Sequence, residues 1–245
     1  MQKSSLIIGR QPLIEAIAAG IAIDKILFQR EVSGPSIGEI RRLAKEKNIP
    51  IQQVPQEKLQ GMARGNHQGV IAIAAIIQYQ NLQQVIDHTV SQGLLPLFVM
   101  LDGITDVRNI GGIARSAHCC GAQALIIPDK GVGAINEEAM KSSAGALTAI
   151  QVCRVSSLLK AIDELHLNGI LVYTSEMKAL QLVSEIDFAQ PCCIVMGREE
   201  NGVQPYITKS ADGHFTIPMA SSFDSFNVSV AAGIILYEAM KKRKA

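Results

Sequence analysis

The sequence predicts an α/β protein, and three stretches of similar build predict it. Each couples a short apolar run to a polar, glycine- or serine-bearing loop and then to helical spacing. In the first, residues 97–101 (LFVML) form a continuous apolar run fit for a strand buried on both faces. The loop 102–112 (DGITDVRNIGG) follows, then a helix expected over 113–120, closed by Gly121 at its C-terminal cap. The second stretch runs from the apolar 192–196 (CCIVM) through 197–202 (GREENG) to a helix or turn after Pro205. The third has a strand expected over 215–219, with Pro218 near its exit, and a loop holding Ser221, Ser222, Asp224, Ser225 and Asn227. From Val228 the third stretch turns helical, with Val228, Ala231, Ala232, Ile235 and Leu236 on one face. Ser225 and Asn227 are helix-capping types, and Lys241 and Lys244 put positive charge at the far end. Strand ends carrying such loops are where open α/β sheets build ligand sites.

The first third alternates in the same way on a smaller scale. Residues 6–8 and 25–28 read as strands flanking a helix around 13–19. Residues 37–47 read as an amphipathic, positively biased helix and 69–77 as a closing strand. A short connection at 79–81 leads into a helix over 82–90. The expected division is a first domain at 1–77, a linker at 78–81 and a second domain at 82–245.

At 245 residues the chain has ample apolar content for such cores. No apolar run approaches the roughly 20 residues that span a bilayer, and the N-terminus has no signal-peptide pattern. Five cysteines, an odd number with two adjacent pairs, do not suggest a disulfide framework, so the expected compartment is the cytoplasm. Net charge is only +1, but residues 1–77 hold ten Lys and Arg against six Asp and Glu, a balance of +4. The remainder balances at −3, so the modest positive excess sits in the first domain, open to two readings, ordinary variation in composition or a surface that docks a polyanion.

Three motifs, in order, carry a resemblance: 106–115 (DVRNIGGIAR), 196–202 (MGREENG), and 217–219 (IPM) continuing through 225–229 (SFNVS). With the intervening 141–146 (KSSAGA), the chain resembles the SpoU/TrmH family of RNA ribose 2′-O-methyltransferases, in the SPOUT superfamily of knotted enzymes. The resemblance covers essentially the whole chain. Ile8-Gly9-Arg10, Glu15-Ala16-Ile17 and His67-Gln68-Gly69-Val70 are similar to the RlmB-like branch, which acts on a guanosine of 23S ribosomal RNA. The resemblance implies a C-terminal methyltransferase domain with a trefoil knot and a smaller N-terminal α/β RNA-binding domain. It further implies S-adenosylmethionine as cofactor, RNA as substrate (rRNA, with tRNA open), a homodimer, and no metal.

A ribose 2′-hydroxyl is a poor nucleophile until its proton is removed or its oxygen polarised, so the protein must align the reactants and assist proton loss. The resemblance assigns Arg115 to that step. A guanidinium with a pKa above about 12 stays charged, which favours phosphate binding and polarisation over outright deprotonation. Placed about one turn into the expected helix, Arg115 would also lie near the positive helix end. Asn109 is both a possible cap and a substrate amide. Glu199 is matched to the motif glutamate and would orient Arg115 or a ribose hydroxyl. Ser225 and Asn227 are matched to the family's polar motif residues, which would hold the reacting ribose or tune Arg115. Gly197, Ile217, Met219 and Phe226 are the expected cofactor-binding residues, with Gly197 allowing close approach. The sequence departs from the family pattern at Val107 (often proline), Arg198 (usually small), Ser221 (commonly glycine) and Phe226 (commonly leucine).

Other constellations carry less. Gly131-Val-Gly133 lacks the third glycine of a dinucleotide fingerprint, which disfavours a nicotinamide-dependent dehydrogenase. Cys119-Cys120 and Cys192-Cys193 lack metal-ligand spacing and read as core. His67 is open to two readings, an RNA contact or a turn. With no tryptophan and few aromatics, recognition through RNA shape and phosphates is expected over base stacking. A non-catalytic RNA-binding relative is the rival of a different class, and it would tolerate loss of Arg115 or Glu199, both present here.

Overall fold

The computed structural model describes residues 6–63, 65–220 and 225–244. By contacts the chain falls into two compact units, one running to Gln78 and including Ile135–Glu137, the other holding the rest from Tyr79.

The first unit comprises β1 (Leu6–Ile8), α1 (Arg10–Ala18), β2 (Ile23–Gln29), α2 (Pro35–Glu46), β3 (Ile51–Val54), α3 (Gln56–Met62) and β4 (Val70–Ala74). Its sheet has the order β1-β4-β2-β3, antiparallel except for β2 with β3. Strand alternation explains the layers. Ile26 and Phe28 on β2 pack with Leu13, Ile17, Ile37 and Ile40 of α1 and α2, while Leu27 between them packs with Leu59 of α3. His67 is buried, and its Nδ1 accepts the Gly69 backbone N–H at 3.1 Å, which gives it a role in the turn.

The second unit contains β5 (Tyr79–Gln80), α4 (Leu82–Ser91), β6 (Leu97–Leu101), α5 (Val107–Cys119), β7 (Ala124–Pro128), α6 (Glu137–Ser142), α7 (Ala146–Ala149) and β8 (Gln151–Val155). It continues through α8 (Leu158–Leu167), β9 (Leu171–Ser175), β10 (Gln181–Leu182), β11 (Cys192–Met196), α9 (Pro205–Thr208), β12 (Gly213–Thr216) and α10 (Val228–Lys244). The sheet order is β10-β12-β9-β11-β6-β7-β8-β5, and its pairs are parallel. β6 and β11 are neighbours and buried along their whole length, as strands covered on both faces must be. Phe98, Met100, Ile126, Val172 and Val195 pack against Ile162 and Leu165 of α8, and on the chain's other helical layer α10 lies along α5. Among the described residues no helix is long and apolar enough to cross a membrane.

The structure corrects several expectations. The helix expected from Ile113 begins at Val107, because the Asp106 side chain accepts the Arg108 backbone N–H at 2.8 Å and caps it. Gly111 and Gly112 are therefore helical. A Cβ at Gly111 would collide with Ser142 Oγ and lie 2.5 Å from the Ala139 carbonyl oxygen, so close packing excludes a side chain there. Val107 takes the first helical position, where proline also fits. Tyr79 and Gln80 are not a free connection, since they pair with Val152 and Cys153 of β8. The last strand stops at Thr216. Cys119 is exposed and not core, while Cys192 and Cys193 are buried. Ser221, Ser222 and Asp224 lie outside the described residues.

Candidate functional site

The loops that follow β6 and β11 are tied together at their roots. The Asp102 backbone N–H donates to the Met196 carbonyl at 2.9 Å, extending the pairing of the two strands by one residue. The Asp102 carboxylate is buried and accepts the Gln204 backbone N–H at 2.7 Å as well as its side-chain amide. Between these ties the 197–203 segment folds back on itself, with Arg198 and Gly202 exchanging backbone hydrogen bonds at 3.0 and 2.9 Å. Gly202 adopts φ +65°, a conformation that favours glycine. A Cβ on Gly197 would collide with the Gly202 carbonyl carbon, so the absent side chain makes room for the chain's own turn.

That turn presents Glu199 to two asparagines from different elements. Glu199 Oε1 accepts from Asn109 Nδ2 at 2.9 Å and from Asn227 Nδ2 at 2.6 Å. Asn227 Nδ2 also donates to Asn109 Oδ1 at 3.1 Å, so the three side chains close on one another. Asn109 is held by the first turn of α5. Asn227 is held as the cap of α10, where its Oδ1 accepts from the Ser229 backbone at 3.0 Å and from the Ser229 hydroxyl at 2.6 Å. Glu199 and Asn227 are exposed, which leaves this cluster of one carboxylate and two amides open to a substrate.

Beside it lies a cavity of about 270 Å³, close to the lower end of the roughly 300–1,000 Å³ typical of ligand pockets. Gly197, Ile217, Met219 and Phe226 all line it, as do Ser225 and Glu199. Ile217, Met219, Phe226 and Met196 give an apolar wall, and charged and polar side chains such as Lys178, Arg198, Glu199 and Asn201 line the rest, which suits a nucleoside-sized ligand with one flat apolar face and polar substituents. The sequence reading missed the end of β9 and the loop after it, where Ser175, Glu176, Met177 and Lys178 also line the cavity. The half-buried strand LVYTS ahead of that loop alternates, so it stands out less than the wholly apolar LFVML and CCIVM.

Arg115 stands apart. It is exposed, the ninth of thirteen residues of α5, so it lies more than two turns from the helix start and not near its positive end. It makes no hydrogen bond or ion pair with a described residue, does not line the cavity, and is not joined to Glu199. At the helix start itself, Arg108 pairs with Asp106 at 3.2 Å. That hydrogen bond holds the Asp106 carboxyl below the usual carboxylate range. Among the described residues no group of three or more His, Cys, Asp or Glu is placed to hold a metal ion.

Residues 96–237 match the SpoU rRNA Methylase family, and residues 6–80 match the family described as RNA 2′-O ribose methyltransferase substrate binding. A Staphylococcus epidermidis protein named for the TrmH family of tRNA/rRNA methyltransferases is 34% identical over 238 residues, covering 97% of this chain and 96% of its own. A Staphylococcus aureus protein of the same name is 34% identical over 241 residues, covering 98% and 97%. Among solved structures, the SpoU methyltransferase AviRb from Streptomyces viridochromogenes, in complex with the cofactor AdoMet, is 26% identical with a TM-score of 0.63, over 98% of this chain and 90% of that one. The A. aeolicus TrmH/SpoU tRNA modifying enzyme is also 26% identical, with a TM-score of 0.55 over 66% and 84%. With a family match over more than half of the chain, and relatives alike along nearly all of it, this protein belongs to the SpoU rRNA methylase family.

Proposed function

We propose that this protein transfers a methyl group to the 2′-hydroxyl of a ribose in RNA, with a guanosine of 23S ribosomal RNA as the first substrate to test. The coarser statement follows from its family: it is an S-adenosylmethionine-dependent RNA methyltransferase. The observation that carries the finer reading is the position of Glu199. Its carboxylate lines the cavity and at the same time anchors the Asn109–Asn227 cluster, so a nucleoside pocket and a set of hydroxyl-orienting groups share one residue.

The bound cofactor supplies a methyl group already activated by its sulfonium. The chain's own residues have then to bind the cofactor, orient the ribose and polarise its 2′-hydroxyl, whose proton leaves to solvent as the methyl is transferred. Gly197, Ile217, Met219 and Phe226 would hold the cofactor, and Ser225, Asn109 and Asn227 would fix the ribose hydroxyl. Arg115, charged and without a partner among the described residues, would take the substrate phosphate and polarise the hydroxyl. Because Arg115 does not meet Glu199 within one chain, we place it in the site through a homodimer. Exposed Val230 and Tyr237 on α10, the helix that lies along α5, support that assembly. The topology supports the knotted threading: after the outlying β12 the chain returns to lay α10 on α5, which follows the central β6. Residues 1–77, with their excess of basic side chains, are the proposed RNA-docking domain.

A tRNA substrate is the second reading, favoured by the tRNA/rRNA names of the relatives. The deciding experiment is transfer of labelled methyl from S-adenosylmethionine to unmodified rRNA and tRNA by wild type and Arg115→Ala. Label on rRNA ribose that disappears with Arg115→Ala is the expected result. Label confined to tRNA moves the second reading ahead, and RNA bound without label on either overturns the enzymatic reading for these substrates.

A further inference from the structure

Glu176 follows β9 and lines the same cavity, yet none of the three motifs contains it. We propose that Glu176 is a cofactor-binding residue whose carboxylate, held in place by Thr174 and His214, accepts the vicinal hydroxyls of the cofactor's ribose. This rests on the reading that the cavity holds S-adenosylmethionine.

The carboxylate is already oriented. Thr174 is wholly buried, and its hydroxyl lies 2.9 Å from Glu176 Oε1 and 2.7 Å from His214 Nδ1. The parallel register of β9 and β12 sets Thr174 opposite His214, which fixes this contact in the sheet. A threonine hydroxyl has one proton, and an ionised carboxylate can only accept. Thr174 therefore donates to Glu176 and accepts from His214 Nδ1–H, so the buried hydroxyl is satisfied in both directions. A side chain fixed before binding loses little rotamer freedom when the ligand arrives. Only Oε1 is engaged: Glu176 Oε2 has no hydrogen-bond partner among the described residues.

Position decides which ligand group it takes. The Glu176 backbone N–H donates to the Phe215 carbonyl at 2.8 Å, which sets Glu176 beside the end of β12, where Thr216 leads into Ile217. Ile217, Met219 and Phe226 form the apolar wall suited to the base, and the ribose is the group bonded to the base. A ligand ammonium is the competing donor. Lys178 and Arg198 line the same cavity, and two cations disfavour a third while suiting the ligand's carboxylate.

The test is equilibrium binding of S-adenosylmethionine and of 5′-methylthioadenosine, which keeps the nucleoside and lacks the amino-acid end. Glu176→Gln should weaken both ligands alike, by about tenfold or more, as expected for loss of hydrogen bonds to a charged acceptor. Thr174→Val should weaken both by a smaller factor and Thr174→Ser should keep wild-type affinity, with thermal unfolding run on every variant to exclude misfolding. If Glu176→Gln weakens S-adenosylmethionine alone, the carboxylate meets the ammonium and the proposal is overturned. Unchanged affinity for both ligands overturns it as well. Wild type binding neither ligand would overturn the cavity reading itself, a result distinct from wild type binding both while Glu176→Gln binds them equally well.

Discussion

Both oxygens of the buried Asp102 carboxylate end on a single residue, Gln204: Oδ2 accepts its backbone N–H at 2.7 Å and Oδ1 its side-chain amide. Asp102 opens the loop that leads to Asn109, and Gln204 closes the turn that carries Gly197 and Glu199. The pair therefore sets the spacing between the two loops on which the Asn109–Glu199 bond depends. Gln204→Glu would press two carboxylates together in a buried place, at a cost of about 2–4 kcal/mol. Asp102→Asn alone should be mild, because the Gln204 amide can rotate to offer its oxygen. The combination of the two should recover most of the loss. The amide introduced at position 102 still offers its oxygen to the backbone N–H, while its nitrogen donates to the carboxylate introduced at position 204. Denaturant midpoints of the four proteins measure this. A double variant no more stable than Gln204→Glu would show that the pairing does not hold the turn.

Gly197 and Gly38 should respond to alanine with opposite sign. A Cβ on Gly197 would collide with the Gly202 carbonyl carbon and the Val203 nitrogen, both backbone atoms that cannot rotate away. Gly197→Ala should cost about 1–3 kcal/mol, the range for overpacked sites, and should lower cofactor affinity because the turn lines the cavity. Gly38 lies inside α2 with nothing within 4 Å of an added Cβ, so Gly38→Ala should stabilise by roughly 0.5–1 kcal/mol. Thermal unfolding of the two variants gives both signs.

The parts of this fold that sequence made legible are those set by local pattern. β6 and β11 are continuous apolar runs because both faces are covered, and α10 starts at Val228 because Asn227 caps it. Asn109, Glu199 and Asn227, named from motifs 90 and 28 residues apart, do bond to one another. What stayed hidden was set by distant contacts. Gly111 and Gly112 look like loop residues, yet they are helical: α6 leaves no room for a side chain at Gly111, and Ser229 packs closely on Gly112. Two-residue β5 owes its existence to β8, and the role of Glu176 to a partner 38 residues further on.

Asn109 and Glu199 should separate turnover from cofactor binding. Glu199 lines the cavity and Asn109 does not, although they share a hydrogen bond. Asn109→Asp replaces an amide donor with a second carboxylate facing Glu199, which should disturb the ribose-orienting cluster and lower kcat by about 10- to 100-fold. The Kd for S-adenosylmethionine should change by less than about threefold, whereas Glu199→Ala should weaken both. Equal losses of binding and turnover in Asn109→Asp would mean that the cluster supports the cavity and does not position the hydroxyl.

Buried thiols should make the protein less stable in alkali. Burial, and after it the negative charge of Glu164, pushes the Cys153 thiol up to about 12 from an ordinary value of 9.0. Burial raises Cys192 and Cys193 as well. Between pH 9 and 12 the unfolded chain loses the Cys153 proton while the folded chain keeps it, so the unfolded state binds fewer protons and stability falls as pH rises. Below pH 9 both states are protonated and the contribution is flat. The slope from one such thiol is at most about 1.4 kcal/mol per pH unit. Cys153→Ala should start less stable at neutral pH, because it removes a buried sulfur, yet lose stability more slowly above pH 9. Urea midpoints of wild type and variant at successive pH values measure the difference in slope, since lysines and tyrosines titrate alike in both. Parallel slopes would show that burial does not hold this thiol protonated. A thiol reagent at pH 8 should label exposed Cys119 in the native protein and reach Cys153, Cys192 and Cys193 only when the chain unfolds.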